Sequence, residues 1–202
     1  MILTAMQMET RAVQRALAGL PVDVITIGIR GCRVPIDAEH PLPAEAVVIL
    51  AGMGGALDPS LKVGDAVVDD PAGLLPASID GVPRGMIHGA DQIIATPAEK
   101  AALHGRTGAL AVDMESGVVR RLSGRVINVR AISDSADEVL DPRVIGLVDD
   151  VGRARPMKIG AALVKSPGLA RYLARLGKNS KIACEALGGA VRRIVEALLK
   201  SS

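Results

Sequence analysis

The chain has 202 residues, a net charge of +2 and nearly half apolar residues, but no Trp, no Phe and one tyrosine, Tyr172. That length suits one core built of Val, Leu, Ile, Ala and Met. The lack of rings argues against single-stranded nucleic acid as a partner, because such strands are bound on stacked aromatic side chains.

Cys32 and Cys184 stand in no paired pattern and are expected to be free thiols. His40, His88 and His104 stand at no metal-ligand spacing, so no metal is expected. The start Met1 to Met6 lacks a basic region and reaches Glu9 and Arg11 too soon for a secretory signal. No apolar run is long enough to span a bilayer, and a cytoplasmic protein is expected. Charge is uneven: from Arg153 onward there are 11 Lys/Arg against 2 Asp/Glu, which leaves 13 and 20 before it, about +9 against −7. This basic segment, 153–202, reads either as a solvated helical face or as a surface for anionic headgroups at a membrane periphery.

In chain order, Ile2 to Met6 reads as a short buried strand. Glu9 to Leu20 reads as a helix with Ala12, Val13, Ala16, Leu17 and Leu20 on one face, ended by Gly19 and Pro21. Val22 to Ile29 and Ala46 to Leu50 are apolar strands, and Gly52 to Gly55 reads as a turn. Val63 to Val68 is a strand, Asp70 to Gly81 irregular, and Met86-Ile87 a short strand. Thr96 caps a helix that begins at Pro97 and runs to His104. Ala109 to Val112 is a strand, Glu115 to Leu122 a helix and Val126 to Ile132 the last strand. Three helices follow, at 156–165, 167–176 and 184–200. The alternation indicates one α/β domain over 1–202, with a central, mostly parallel, twisted sheet flanked by helices in three layers. Ligands of such sheets bind at the carboxyl ends of the strands.

Four of those ends carry polar residues or glycines: Met6 to Glu9, Gly52 to Gly55, Asp113 to Glu115, and Ser133-Asp134. Glu9 reads as a favourable first-turn acid or as a site residue. Asp113 reads as a helix cap. Glu115 is suited to accept both hydroxyl protons of a ribose diol. Ser133-Asp134 reads as a capping pair or as an acid oriented by a hydroxyl. The set matches the needs of purine N-glycoside cleavage: a proton for the leaving base, an acceptor grip on the sugar, and a group for the nucleophile. The glycine run contains neither a dinucleotide nor a Walker fingerprint.

Four segments resemble the purine nucleoside phosphorylase and nucleosidase superfamily. Leu57 to Val68 (LDPSLKVGDAVV) resembles its second-strand signature, Ala111 to Ser116 (AVDMES) its ribose motif, and Val129 to Asp137 (VRAISDSAD) its base-protonating motif. Ala5 to Glu9 (AMQME) resembles the start of 5′-methylthioadenosine/S-adenosylhomocysteine nucleosidases. Asp91 to Leu103, Thr107 to Ser116 and, more loosely, Leu163 to Leu176 are similar to the hopanoid-associated branch, which acts on adenosylhopane, a lipid-linked adenine nucleoside.

The resemblance implies a nucleoside phosphorylase-like fold, a homodimer or higher oligomer, no cofactor, and phosphate only as a co-substrate. It implies that Asp134, oriented by Ser133, protonates the purine and that Glu9 positions the attacking water. Glu115 and Met114 would hold the ribose, with Arg130 near it or one layer behind. Gln92 and Ile93, within the 91–94 segment, would line the base, and Met53 and Gly54 would also contact the substrate. Where phosphorylases place an arginine and a serine for phosphate, this chain has Leu50 and Met53, with Arg30 or Arg33 as substitutes. Water is therefore expected as the nucleophile, since an apolar lining cannot compensate a buried dianion. The segment Pro35 to Pro43 stands where relatives have a helix. A rival reading is a nucleoside-binding protein without activity.

Overall fold

The structure, a computed structural model, describes residues 1–33, 45–77, 79–166 and 168–201. The segment Pro35 to Pro43, with His40, lies outside them.

The hub is the long strand β3 (Val48–Ala56). Its first half pairs parallel with β1 (Ile2–Thr4), which pairs parallel with β2 (Val24–Thr26). Its other edge pairs parallel with β7 (Val126–Asp134) along the whole length. Beyond the end of β1, Gly55 and Ala56 pair antiparallel with β6 (Ala111–Asp113), and β6 pairs parallel with β5 (Ile87–Gly89). β4 (Ala66–Asp69) runs antiparallel on the far edge of β7. Four of these six pairings are parallel. The expected mostly parallel sheet is thus present.

Side-chain alternation assigns the two faces. Ile2, Ile49, Ala51, Ile127 and Val129 pack with Val13 of the first helix, α1 (Gln7–Ala16), with Leu17 just after it, and with Leu187, Val191 and Ile194 of the last. Leu3, Val48, Leu50 and Val126 turn the other way, toward Val119 of α3 (Ser116–Leu122). Between β5 and β6, helix α2 (Pro97–Thr107) packs Leu103 against Leu57, Ala109 and Val112. Thr96 caps it as expected, its hydroxyl accepting the Glu99 N–H at 3.2 Å. A sheet covered by helices on both faces gives the three layers.

Three expectations need correction. Gly52 to Gly55 is not a turn but the second half of β3. The two helices expected at 167–176 and 184–200 are one, α5 (Leu169–Ser201), preceded by α4 (Pro156–Lys165). Gly177, Asn179 and Ser180 are weak helix formers, but tertiary packing overrides them. Ala183, Leu187, Ala190, Val191, Ile194 and Val195 of α5 are all buried in the main core. The basic segment is therefore integral to the fold. The strand expected at 63–68 starts three residues later, because Val63 and Gly64 form a turn.

α5 crosses α1 closely at Gly188. A β-carbon there would lie 3.1 Å from both the Ala12 carbonyl oxygen and the Ala16 Cβ. Gly188→Leu should therefore destabilise the protein by roughly 1–3 kcal/mol through overpacking, measured by urea unfolding. An unchanged unfolding midpoint would mean that the two helices do not bear on each other at this point.

Candidate active site

The four polar strand ends do meet. They border one cavity of about 300 Å³, lined by Glu9, Met53, Gly54, Gln92, Ile93, Met114, Glu115, Ser133 and Asp134 among others. β6 reaches it although it runs against β3: the antiparallel register sets Val112 opposite Gly55, which brings Asp113 level with Gly54 in the second half of the hub strand.

Glu9 sits in the first turn of α1, 1% exposed. One carboxylate oxygen accepts the Met6 N–H and the other the Met53 N–H, both at 2.8 Å. It thus closes its own helix and ties it to β3. Burial raises its pKa to about 7, against the lowering effect of the Met53 N–H and of Arg130. Such a carboxyl is matched to accept a proton near neutral pH.

Glu115 follows β6 and is also buried. Its Oε1 accepts the Arg30 N–H at 3.0 Å, and its Oε2 lies 3.5 Å from Arg130 Nη2. Burial raises its pKa, and the Arg130 charge opposes this. Asp113 is a hub rather than a site acid. Its Oδ1 accepts the Glu115 N–H, the Ser116 N–H and the Ser116 hydroxyl, which starts α3 as the sequence suggested. Its Oδ2 accepts Asn128 Nδ2 at 2.9 Å and Arg130 Nε at 2.6 Å. Burial would raise its pKa, but the Arg130 charge and these bonds hold it below the usual carboxylate range.

Arg130, expected either near the ribose or one layer behind it, takes the second place and does not line the cavity. It is fully buried beneath it. Strand parity puts Asn128 and Arg130 on the α3 side of β7, and Gly52, its register partner on β3, leaves room for the guanidinium. A β-carbon on Gly52 would lie 2.1 Å from Arg130 Nη1 and 3.2 Å from Glu9 Oε1. Arg130 Nη1 and Nη2 have no hydrogen-bond partner among the described residues.

At the end of β7 a bulge between Gly54 and Gly55 inserts Ser133 between the residues paired to them. Bulges re-aim side chains, and here both Ser133 and Asp134 reach the cavity. The Ser133 hydroxyl lies 2.9 Å from Asp134 Oδ1 and 3.3 Å from the Gly54 carbonyl. Asp134 Oδ2 accepts from Lys100 Nζ at 2.7 Å.

The sequence did not single out Lys100, which is 0% exposed. Its one signal is its place three residues before Leu103, on the buried face of α2. Also missed were the far walls: Leu140, Val144 and Val148 after β7, and Leu176 and Ser180 of α5. The loop at 149–152 closes one end, with the Val151 carbonyl accepting the Gln7 N–H and the Asp150 carbonyl the Ile29 N–H. Gln92, Ile93 and Ile94 line the cavity, whereas Asp91 is exposed and outside it.

Neither expected substitute for a phosphate-binding arginine lines the cavity. Arg33 pairs with Asp150, and Arg30 is exposed. Among the described lining residues there are four carboxylates and no Lys, Arg or His. Among the described residues no cluster of His, Cys, Asp and Glu is placed to hold a metal ion.

No family model and no curated protein matches the sequence. Solved structures do. The chain is similar to the 5′-methylthioadenosine/S-adenosylhomocysteine nucleosidase of Helicobacter pylori with butyl-thio-DADMe-Immucillin-A. The TM-score is 0.61 at 16% identity, covering 100% of this chain and 97% of that one. The fold is that of these nucleosidases. The Streptococcus pneumoniae nucleosidase with a transition-state inhibitor matches at TM-score 0.61 and 16% identity over 98% of each chain. The futalosine hydrolase of Helicobacter pylori matches at 0.60 and 15%, over 100% of this chain and 97% of that one. A shared fold does not fix an activity; that rests on the site.

The raised Glu9 carboxyl has a thermodynamic consequence. Because the fold favours its protonated form, the stability it contributes is whole below about pH 4.5 and is lost as pH rises through about 7. A shift of that size is worth on the order of 3 kcal/mol. Between about pH 5 and about pH 8, wild type should lose more urea-unfolding stability than Glu9→Gln, which cannot titrate. Equal pH slopes for the two proteins would rule Glu9 out as the raised acid.

Proposed function

We propose that the protein hydrolyses the N-glycosidic bond of a purine nucleoside. The observation that carries this is the convergence of Glu9, Glu115 and Asp134 on one cavity, with the Arg130 guanidinium buried behind the first two. Asp134, held by the Ser133 hydroxyl, gives a proton to the leaving base at N7. Glu115 accepts hydrogen bonds from the ribose hydroxyls, with Met114 packed on the sugar. Glu9 accepts a proton from the attacking water, and the Arg130 guanidinium acts on Glu9 and Glu115 from behind, through its charge. An acidic wall favours the cationic sugar that develops as the bond breaks. The same wall disfavours a phosphate dianion, so water is the nucleophile.

Within this class we propose an adenine nucleoside with an apolar group at C5′, such as lipid-linked adenosylhopane. The sequence resemblance at 91–116 supports it, as do the apolar walls from Met6, Met8, Ile29, Leu140, Val144 and Leu176. A lipid-linked substrate requires work at a bilayer surface. Among the described residues no helix is long and apolar enough to cross a membrane. The C-terminal leucines at 169 and 176 are used in the core and the cavity. On α4, however, Met157 is 90% exposed and Val164 85%, next to exposed Arg153, Arg155 and Lys158. An exposed apolar face rimmed by cations suits an anionic headgroup layer. The runner-up is a soluble 5′-thioadenosine, favoured by the likeness to the nucleosidases above.

Incubation with adenosine, methylthioadenosine and a lipid-linked adenosine should release free adenine at the same rate with and without phosphate. Asp134→Asn should cut kcat by about 10²–10⁴-fold, the usual worth of a general acid. Phosphate-dependent release would overturn hydrolysis, and a fully active Asn variant would remove Asp134 from the chemistry.

Vesicle sedimentation separates the two substrate readings. Binding should favour anionic over neutral lipid, weaken at high salt, and fall in Met157→Asp/Val164→Asp. Equal, negligible sedimentation with both lipids would favour the soluble substrate.

A further inference from the structure

Lys100 is out of place by every local criterion. It is 0% exposed, although lysines are almost never fully buried unless paired. It lies in the first turn of α2, where the helix dipole disfavours a cation. Its ammonium has three donors, and three acceptors meet them: Asp134 Oδ2 at 2.7 Å, the Ser135 carbonyl at 2.7 Å and the Glu138 carbonyl at 3.1 Å. Asp134 is its one ion-pair partner among the described residues.

We infer that Lys100 is a positioning residue for base departure, acting through Asp134. The inference rests on the proposed cleavage. As the C1′–N9 electron pair moves into the purine, the Asp134 proton passes to N7, and a carboxylate remains in the cavity wall. Lys100 faces that carboxylate at 2.7 Å and neutralises its charge as it forms. The Ser133 hydroxyl fixes the other oxygen, so the carboxyl group is clamped at both ends. Water adds to C1′ and leaves its proton on Glu9; solvent then carries a proton from Glu9 back to Asp134. The products are neutral adenine and the free sugar. Such fixed charge aimed at a developing anion needs no reorganisation during the reaction.

The alternative is structural: Lys100 also ties down the 135–138 segment through two carbonyls. Two substrates separate the roles. A purine nucleoside needs a proton on its leaving group, whereas 4-nitrophenyl β-D-ribofuranoside leaves as a stabilised phenolate without one. With Lys100→Met, kcat on the purine nucleoside should fall on the order of 10²-fold, and kcat on the nitrophenyl riboside should change less than about threefold. In an Asp134→Asn background, Lys100→Met should cost nothing further on the purine substrate.

Parallel loss on both substrates, or an additive loss in the double variant, would show a merely structural lysine and overturn the inference, as would no loss at all. Should Lys100→Met fail to fold, Lys100→Gln keeps a donor for the carbonyls without the charge, and the same ratio is read from it. A wild-type protein that releases base from no nucleoside would instead sink the proposed function itself.

Discussion

Arg130 is a fully buried cation beside three acids, Asp113, Glu115 and Glu9. Taking such ions out of water costs several kcal/mol each, even after relaxation, roughly. Asp113 meets most of that demand with a 2.6 Å bond to Nε and is held ionised. The other two, Glu9 and Glu115, are buried with less of that charge to offset them, and burial leaves their pKa values raised. The raised pKa of Glu9 comes from its burial, which the charge of Arg130, bonded to Asp113, offsets only in part. Asp113 has the larger part, and Glu9 is left poised near neutrality.

The sheet makes that sharing possible. The parallel register of β3 and β7 sets Gly52 opposite Arg130, and the missing side chain is the space the guanidinium occupies. The antiparallel entry of β6 brings Asp113 beside the same point, with Asn128 and Ser116 completing its bonds. Glu9 arrives from a third direction, at the start of a helix that α5 presses onto the sheet. Its two backbone bonds, to Met6 and Met53, mean that helix start and hub strand cannot move apart without freeing a buried carboxylate.

What was legible in the sequence was local. The acids at 9, 115 and 134 follow apolar strands, and a strand end is a place that periodicity reveals. The Thr96 cap and Pro97 start were legible for the same reason. What was hidden depends on partners far along the chain. Glycines at 52–55 read as a turn because glycine is common in turns. In the structure they are strand because they pair with β7, and glycine because a side chain at 52 or 54 would meet Arg130 or the Val112 carbonyl. Lys100 looks like any surface lysine until the loop after β7 folds over it. Gly177 and Asn179 look like a break in α5 until the core face on either side joins the two halves. The direction of β6 has no sequence signature here, yet it decides where Asp113 lands.

The charge asymmetry of the chain also changes meaning once folded. α5 has 33 residues, so at 1.5 Å per residue it is about 50 Å long. Its cations cannot all meet one plane. Arg192 is engaged at the far end with Glu196 and the Ala16 carbonyl, Arg175 with Glu138, and Arg153 reaches Gln7. Among the described side chains near α4, Arg155, Lys158 and, at the start of α5, Arg171 are exposed. At about 1 kcal/mol each near anionic headgroups, three such cations give weak adsorption by themselves. Met157 and Val164 are what would convert it into a preferred orientation, because an apolar contact fixes which face of the protein meets the lipid. The walls from 140–148 and from Leu176 lie on the segments that flank α4 in sequence. A surface that binds through α4 would then hold those walls of the cavity close to the bilayer. Adsorption and access to a lipid-linked nucleoside would depend on the same short helix.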